Sequence, residues 1–107
     1  MSNDESENEQ AVIVWFDGER FLDEAYGDCG LDSLEDKLSE ALTEKRLGEF
    51  DGNEIGSGVV TLFMYGASAE KMFSAIEGVL RQCPLCKGAR VIIRCGGPGA
   101  EEREVRL

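Results

Sequence analysis

The chain has 107 residues, of which 42% are hydrophobic and 31% charged, enough for one domain with its own core but not for two. Eleven basic residues stand against twenty-two acidic ones, and with no histidine the formal net charge is −11, which opposes nucleic-acid phosphates and anionic lipid and favours basic partners. The charge predicts that nucleic acid is not a partner. The chain lacks a bilayer-spanning apolar run and a basic segment before an apolar one, which predicts a cytoplasmic protein without membrane partners.

The opening segment MSNDESENEQ differs in composition from the rest of the chain. It carries four carboxylates and contains no aromatic or β-branched residue. Because such a segment cannot bury enough apolar surface to offset the entropy of ordering it, residues 1–10 are predicted to form a disordered acidic tail. Residues 11–107 then form a single domain.

Two apolar runs predict strands in the interior of a sheet. The run AVIVWF (11–16) is rich in β-branched and aromatic residues, and VVTLFMY (59–65) carries apolar residues on both of its alternating faces. Strands covered on both faces show such continuous apolarity. The glycine-rich bend at Gly56 and Gly58 predicts a hairpin that joins the second run to the extended segment before it.

Two further stretches predict amphipathic helices. Their apolar residues recur at helical spacing, and these are Leu31, Leu34, Leu38 and Leu42 in the first stretch and Met72, Phe73, Ile76, Val79 and Leu80 in the second. Asp32 is predicted to cap the first helix, which ends near Gly48. Ser68 is predicted to cap the second helix, and Pro84 cannot continue it.

The C-terminal part predicts one strand in ARVIIRC (89–95) and a further edge strand in EREVRL after the turn GGPG. The order of elements is then β, α, β, β, α, β with an extra strand at the end. Two right-handed crossovers in this order predict an α+β fold, the ferredoxin-like βαββαβ sandwich, with an antiparallel sheet and both helices on one face.

The stretch FDGNEIGSGVVTLFMYGASAEKMF (50–73) resembles a segment of small bacterial proteins of about this size that have a ferredoxin-like arrangement and no assigned activity. The resemblance extends weakly over the helix that ends at Leu80 and over the strand ARVIIR. It implies the fold and a bacterial origin. It carries no catalytic motif, cofactor or partner to this chain.

The pair Cys83 and Cys86 in CPLC has three interpretations. A zinc site needs four ligands, and only Cys29 and Cys95 remain to complete the set. A redox dithiol needs a stabilised thiolate, usually at a helix N-terminus, whereas this pair follows a predicted helix C-terminus. The favoured interpretation is structural, with Cys83 and Cys86 as buried thiols where the helix ends and no cofactor.

The glycine-rich segment GNEIGSG (52–58) does not fit a phosphate-binding loop. Such loops lead from a strand into a helix N-terminus, whereas this segment leads into a strand and lacks a following lysine. Asp51, Asn53 and Glu54 could together bind a cation or a basic side chain of a partner. Ordinary turn chemistry is the favoured interpretation of this cluster.

One face of the predicted sheet is left without helices and is the predicted site. Its partner-binding residues are predicted to be Trp15, Thr61, Phe63, Tyr65, Arg90, Ile92 and Arg94. Aromatic residues beside arginines on a sheet resemble the RNA-recognition arrangement, but the net charge of −11 opposes RNA. The pattern therefore favours contact with a protein, either another protein or a second copy of this chain.

No histidine is present to act as an acid or base near neutral pH, and no paired carboxylates stand out. The sequence therefore predicts a non-catalytic protein-binding domain. One version is an acidic inhibitor or immunity-type protein that neutralises a basic toxin, and another is a self-associating regulatory domain. The alternatives are a zinc-binding or thiol-redox protein that uses the CPLC pair with Cys95, and a domain that binds a small regulatory ligand.

Overall fold

The computed structural model describes residues 10–17, 31–83, 86–96 and 99–107. The predicted acidic tail, Cys29 and Pro84 therefore lie outside the described residues. Gln10 is an exception to the predicted tail because it is the first residue of a strand. Its neighbour in the sheet is Gly66, and this pairing extends the ordered domain one residue further than predicted.

The described residues form an α+β fold of five strands and two helices, as predicted. In chain order these are β1 (Gln10–Asp17), α1 (Leu31–Glu44), β2 (Gly48–Gly56), β3 (Val59–Gly66), α2 (Ala69–Gln82), β4 (Arg90–Arg94) and β5 (Glu102–Arg106). The predicted C-terminal strand is confirmed, since β5 pairs antiparallel with β4. No described helix has the length and apolarity needed to cross a membrane.

All five strands belong to one antiparallel sheet with the order β2-β3-β1-β4-β5. The two strands predicted to be interior, β1 and β3, are adjacent and both lie inside the sheet. Ile13 of β1 lies opposite Phe63 of β3 on one side and Ile92 of β4 on the other. The apolar residues of β1 and β3 that face the helices belong to the core, whereas Ile13 and Phe63 point to the other face and are partly exposed.

The core lies between one face of the sheet and the two helices. Alternate strand residues enter it at period two, and helix residues enter it three or four positions apart. Its fully buried members include Val12, Val14, Leu62, Met64, Val91 and Ile93 from the strands and Leu34, Leu38, Leu42, Met72, Ile76 and Leu80 from the helices. Burying each of these side chains stabilises the fold by roughly 1.5–3 kcal/mol relative to leaving it exposed.

The predicted hairpin between β2 and β3 is confirmed, and its turn is tighter than expected. Ser57 and Gly58 form a two-residue connection in which both residues have positive φ, 54° and 77°. Such a turn matches the right-handed twist of the strands that it joins. The residue pair Gly56 and Val59 closes the hairpin.

The prediction that Asp51, Asn53 and Glu54 form a turn is wrong, because all three lie within β2. The register of β2 against β3 shifts between Phe50 and Gly52, which marks a bulge. The turn-forming residues of this stretch are accommodated by the bulge at the edge of the sheet, where glycine tolerates an unusual backbone.

The two helix starts differ in how well they were predicted. Ser68 caps α2 as expected, since its Oγ accepts a hydrogen bond from the Lys71 amide at 3.2 Å. The Gln10 side chain adds a second cap, because its Oε1 accepts from the Ala69 amide at 2.8 Å. Asp32 does not cap α1, since the helix already begins at Leu31. Asp32 instead lies in the first turn, where its negative charge interacts favourably with the positive end of the helix dipole.

Candidate functional site

The sheet face opposite the helices is the candidate site, and we call it the open face. Directly opposed residues of an antiparallel pair share a face of the sheet. Since Leu62 and Val91 point into the core, their neighbours Thr61 and Arg90 belong to the open face. Both lie opposite Trp15 of β1.

The registers arrange the open face in three complete rows across the strand order β2, β3, β1, β4, β5, with a shorter fourth row of Gly56, Val59 and Asp17 beyond the Trp15 row. The Trp15 row is Glu54, Thr61, Trp15, Arg90, Arg106; the Ile13 row is Gly52, Phe63, Ile13, Ile92, Glu104; and the Ala11 row is Glu49, Tyr65, Ala11, Arg94, Glu102. All seven residues predicted to form the site lie on this one face. Their placement together leaves open what they bind.

The centre of the open face is apolar and partly exposed. Trp15 keeps 37% of its surface accessible, and Phe63, Ile13 and Ile92 are each partly exposed. Residues on the opposite face of the same strands, such as Val14 and Leu62, are completely buried. The described helices therefore cover only one of the two apolar faces of the sheet.

The arginines of β4 are held in defined positions on the open face. The Arg90 guanidinium lies 5.0 Å from the centroid of the Trp15 ring. Nε of Arg90 lies 3.2 Å from Oε2 of Glu104. The same carboxylate oxygen lies 3.6 Å from Nε of Arg106. Nε of Arg94 donates to the Gly96 carbonyl at 2.8 Å. These exposed ion pairs contribute little to stability, but they orient two cationic groups beside the apolar centre.

The opposite side of the open face is acidic. Glu49 and Glu54 lie on β2, both are exposed, and Asp51 at the bulge is exposed as well. The open face thus has an acidic stripe on β2, an apolar centre on β3 and β1, and an arginine stripe on β4. Charges and a bulge on β2 also hinder pairing of this edge with another strand.

The residues of the open face that sequence reasoning missed include Ala11, Ile13, Glu49 and Glu54. Ile13 and Ala11 could have been found from the alternation of β1, because both share a parity with Trp15. The acidic residues could not, since the bulge between Phe50 and Gly52 changes the parity of β2 partway along the strand.

The three polar residues Asp51, Asn53 and Glu54 do not converge on one site. Asn53 lies on the helix side of the sheet, where its Nδ2 donates to the Glu35 carboxylate of α1. Glu54 lies on the open face, opposite Thr61. Adjacent residues of a strand point to opposite faces, so the predicted cation-binding cluster is not formed by these three side chains.

Cys83 and Cys86 are buried at the end of α2, as expected for residues that fill space. Their surfaces are 3% and 1% exposed, and both belong to the core. Burial raises the pKa of the Cys86 thiol to about 12, so it is protonated and a weak nucleophile near neutral pH. Cys95 is an exposed free thiol.

The prediction that Cys83 is a thiol is wrong, because it is disulfide-bonded. Cys86 and Cys95 are free, so Cys83 does not pair with either of them. A cysteine in a disulfide cannot act as a thiolate ligand for zinc. Among the described residues, no three acidic or cysteine side chains are grouped so that they could hold a metal ion.

A surface depression of about 550 Å³ lies between the end of α1 and the start of β2. Arg46, Glu49 and Tyr65 line it together with backbone near Gly48. The depression is wide and open to solvent, whereas small-ligand sites bury most of the ligand in a largely apolar cavity. It therefore does not favour the small-ligand alternative.

Comparison with known proteins provides no relative from which a function could be transferred. No protein-family model matches this chain, and neither does any curated protein or solved structure. The open face is therefore the feature of the described residues on which a function can be based.

Proposed function

We propose that this chain is a non-catalytic protein-binding domain that uses the open face as its contact surface. The observation that carries the proposal is the exposed apolar centre of that face, where Trp15 remains 37% accessible beside Phe63, Ile13 and Ile92. Exposed apolar patches rimmed by polar residues are typical of protein contact sites.

We assign the fold to the ferredoxin-like βαββαβ arrangement. Support comes from the order β2-β3-β1-β4 within the sheet, in which each helix connects two strands that are separated by a third. The fifth strand departs from that four-strand arrangement because it extends the sheet beyond β4. In a sandwich of this kind the helices cover one face, which leaves the other face available for a partner.

The residue types of the open face suit a protein partner better than a nucleic acid. Trp, Tyr and Arg are enriched among the residues that contribute most to protein interfaces. Arg90 lies over the Trp15 ring, and Tyr65 lies two rows away on the same face. The net charge of −11 opposes the approach of a phosphate backbone. Arg90 is also already neutralised in part by Glu104.

Two kinds of protein fit this surface. A basic protein would be attracted by the acidic chain, and the domain would then act as an inhibitor or immunity-type protein. A second copy of the chain would make it a self-associating domain. The zinc-binding alternative receives no such support, because Cys83 is in a disulfide and cannot be a thiolate ligand. The CPLC pair is not a redox couple in this structure, because Cys83 is disulfide-bonded while Cys86 is a buried free thiol.

Site-specific photo-cross-linking tests the proposal. A photoreactive phenylalanine analogue replaces Phe63 on the open face, and in a matched control it replaces Ile55, which is 53% exposed and lies opposite core residue Val60. The proteins are irradiated in the cells that naturally make them, and adducts are identified by mass spectrometry.

We expect a protein adduct from position 63 that position 55 does not form. Adducts at neither position, or the same adducts at both, would contradict the proposal, since the open face would then be no more of a contact surface than any exposed apolar residue.

A further inference from the structure

We infer that the partner on the open face is a second copy of this chain, related by a two-fold axis that runs along the strands above the seam between β1 and β3. This inference rests on the proposed function and makes it specific. It is carried by the way the three rows of the open face complement themselves in charge and in side-chain size.

Charge complementarity sets the direction of the axis. A two-fold axis along the strands keeps each row opposite itself and reverses the strand order, so β2 faces the partner's β4. Glu54 then lies opposite the partner's Arg90, and Glu49 lies opposite the partner's Arg94. Each pairing occurs twice because the interface is symmetric, which gives four contacts between opposite charges.

Other axes bring like charges together. An axis across the strands above the Ile13 row would place Glu49 opposite the partner's Glu54 and Arg90 opposite the partner's Arg94. An axis along the strands but above β1 would place Glu49 opposite the partner's Glu102. Like charges facing each other across an interface cost several kcal/mol, so the seam between β1 and β3 is the favoured position.

Side-chain size agrees with the same axis. Trp15, which is 37% exposed, would lie above the partner's Thr61, so a large side chain meets a small one. Phe63 would lie against Ile13 of the partner at the centre. Sheets that pack face to face about 10 Å apart interdigitate their side chains in this way.

The area of the contact predicts a weak dimer. Four opposed strands spaced about 4.8 Å apart, with five to nine residues each at about 3.3 Å per residue, give roughly 450 Å² of planar area per subunit. Stable complexes bury about 800 Å² per partner. The dimer is therefore expected to dissociate on dilution, with monomer dominant at low micromolar concentration.

A charge-swap experiment tests the geometry. Glu54 and Arg90 are separated by three strand spacings, about 14 Å, so they cannot pair within one chain. The dimer dissociation constants of wild type, Glu54→Arg, Arg90→Glu and the double variant are measured by sedimentation over a concentration series. Glu54→Lys/Lys71→Glu, with Lys71 exposed on α2 away from the open face, serves as the control of equal net charge.

We expect each single variant to bind itself about tenfold more weakly, because each reversal acts twice in the dimer. The Glu54→Arg/Arg90→Glu variant restores the affinity to within about threefold of wild type, whereas the control double variant remains weak. The pair Glu49→Arg and Arg94→Glu repeats the test in the Ala11 row should Arg90→Glu unfold the domain. Urea unfolding of each variant checks its folding.

The outcomes separate the dimer from the broader function. A chain that stays monomeric at millimolar concentration but cross-links another protein from position 63 overturns the dimer and leaves the protein-binding function standing. A monomer without any adduct overturns both. The proposed pairing of β2 with β4 is overturned if the dimer dissociation constant is unchanged by both single charge reversals. It is also overturned if the charge swap does not restore the dissociation constant.

Discussion

Gly66 at the end of β3 should not tolerate even a methyl group, although its backbone conformation is ordinary. It lies opposite Gly48 in the register of β2 and β3 and is buried beneath α2. A Cβ at Gly66 would meet the Leu47 carbonyl oxygen, and would lie 2.9 Å from Sδ of Met72 and 3.0 Å from the Gly48 Cα. Two of these three neighbours are backbone atoms that cannot rotate away.

The expected cost of Gly66→Ala is at the upper end of the range for overpacked cores, about 2–3 kcal/mol of unfolding free energy. Gly78→Ala provides a control with the same chemical change. Gly78 lies inside α2, and a Cβ there would have no heavy atom within 4 Å. Alanine is favoured over glycine in a helix interior, so Gly78→Ala should stabilise the domain by roughly 0.5–1 kcal/mol.

Urea unfolding measures both changes, with the fluorescence of the single tryptophan, Trp15, and circular dichroism as probes. All proteins are compared at one low micromolar concentration, so that self-association does not enter. The unfolding midpoints should move in opposite directions with little change in slope. A Gly66→Ala variant as stable as wild type would show that β2 and α2 separate easily, and would refute the tight packing described for this corner.

Three further predictions concern the core, an ion pair and the thiols. Leu62→Ala should lower the unfolding free energy by about 2–5 kcal/mol in urea titrations, because it leaves a cavity at a fully buried site; a loss below 1 kcal/mol would contradict that burial. Arg103 donates two hydrogen bonds to the exposed Glu70 carboxylate, at 2.6 and 2.8 Å, and lowers the pKa of Glu70. The stability that this ion pair adds is fully present above the ordinary pKa of a glutamate. It is lost as the pH falls through the lowered pKa of Glu70. The difference in Tm between wild type and Glu70→Gln should therefore shrink on acidification. A difference that grows would show that the pKa of Glu70 is not lowered in the folded protein. Iodoacetamide should modify Cys95 well before Cys86 at mildly alkaline pH, because burial raises the pKa of the Cys86 thiol to about 12; peptide mass mapping that found equal rates would show that Cys86 is accessible.

The alternation of apolar residues was sufficient to predict the interior strands and the core face of the sheet. The residues that alternate with the predicted open-face set, such as Leu62 and Val91, lie in the core. The apolar stripe of α2 and the cap at Ser68 were equally local, because a helix period and a capping side chain are properties of neighbouring residues.

The errors occurred where a local signal competes with tertiary contact. Asp51 and Asn53 have the chemistry of a turn, but pairing with β3 draws them into an edge strand. The disulfide at Cys83 depends on the distance and orientation between two cysteines in the folded chain, which spacing along the sequence does not reveal.

The sequence by itself determined the elements, their order and the apolar residues on both faces of the central strands, because these depend on periodicity within short stretches. Only the tertiary structure decided which side chains share the open face and in which order they cross it. The rows join residues as distant in sequence as Ala11 and Glu102, and the bulge in β2 decides that Glu49 and Glu54 face the same way. The acidic and arginine stripes are therefore a product of strand register.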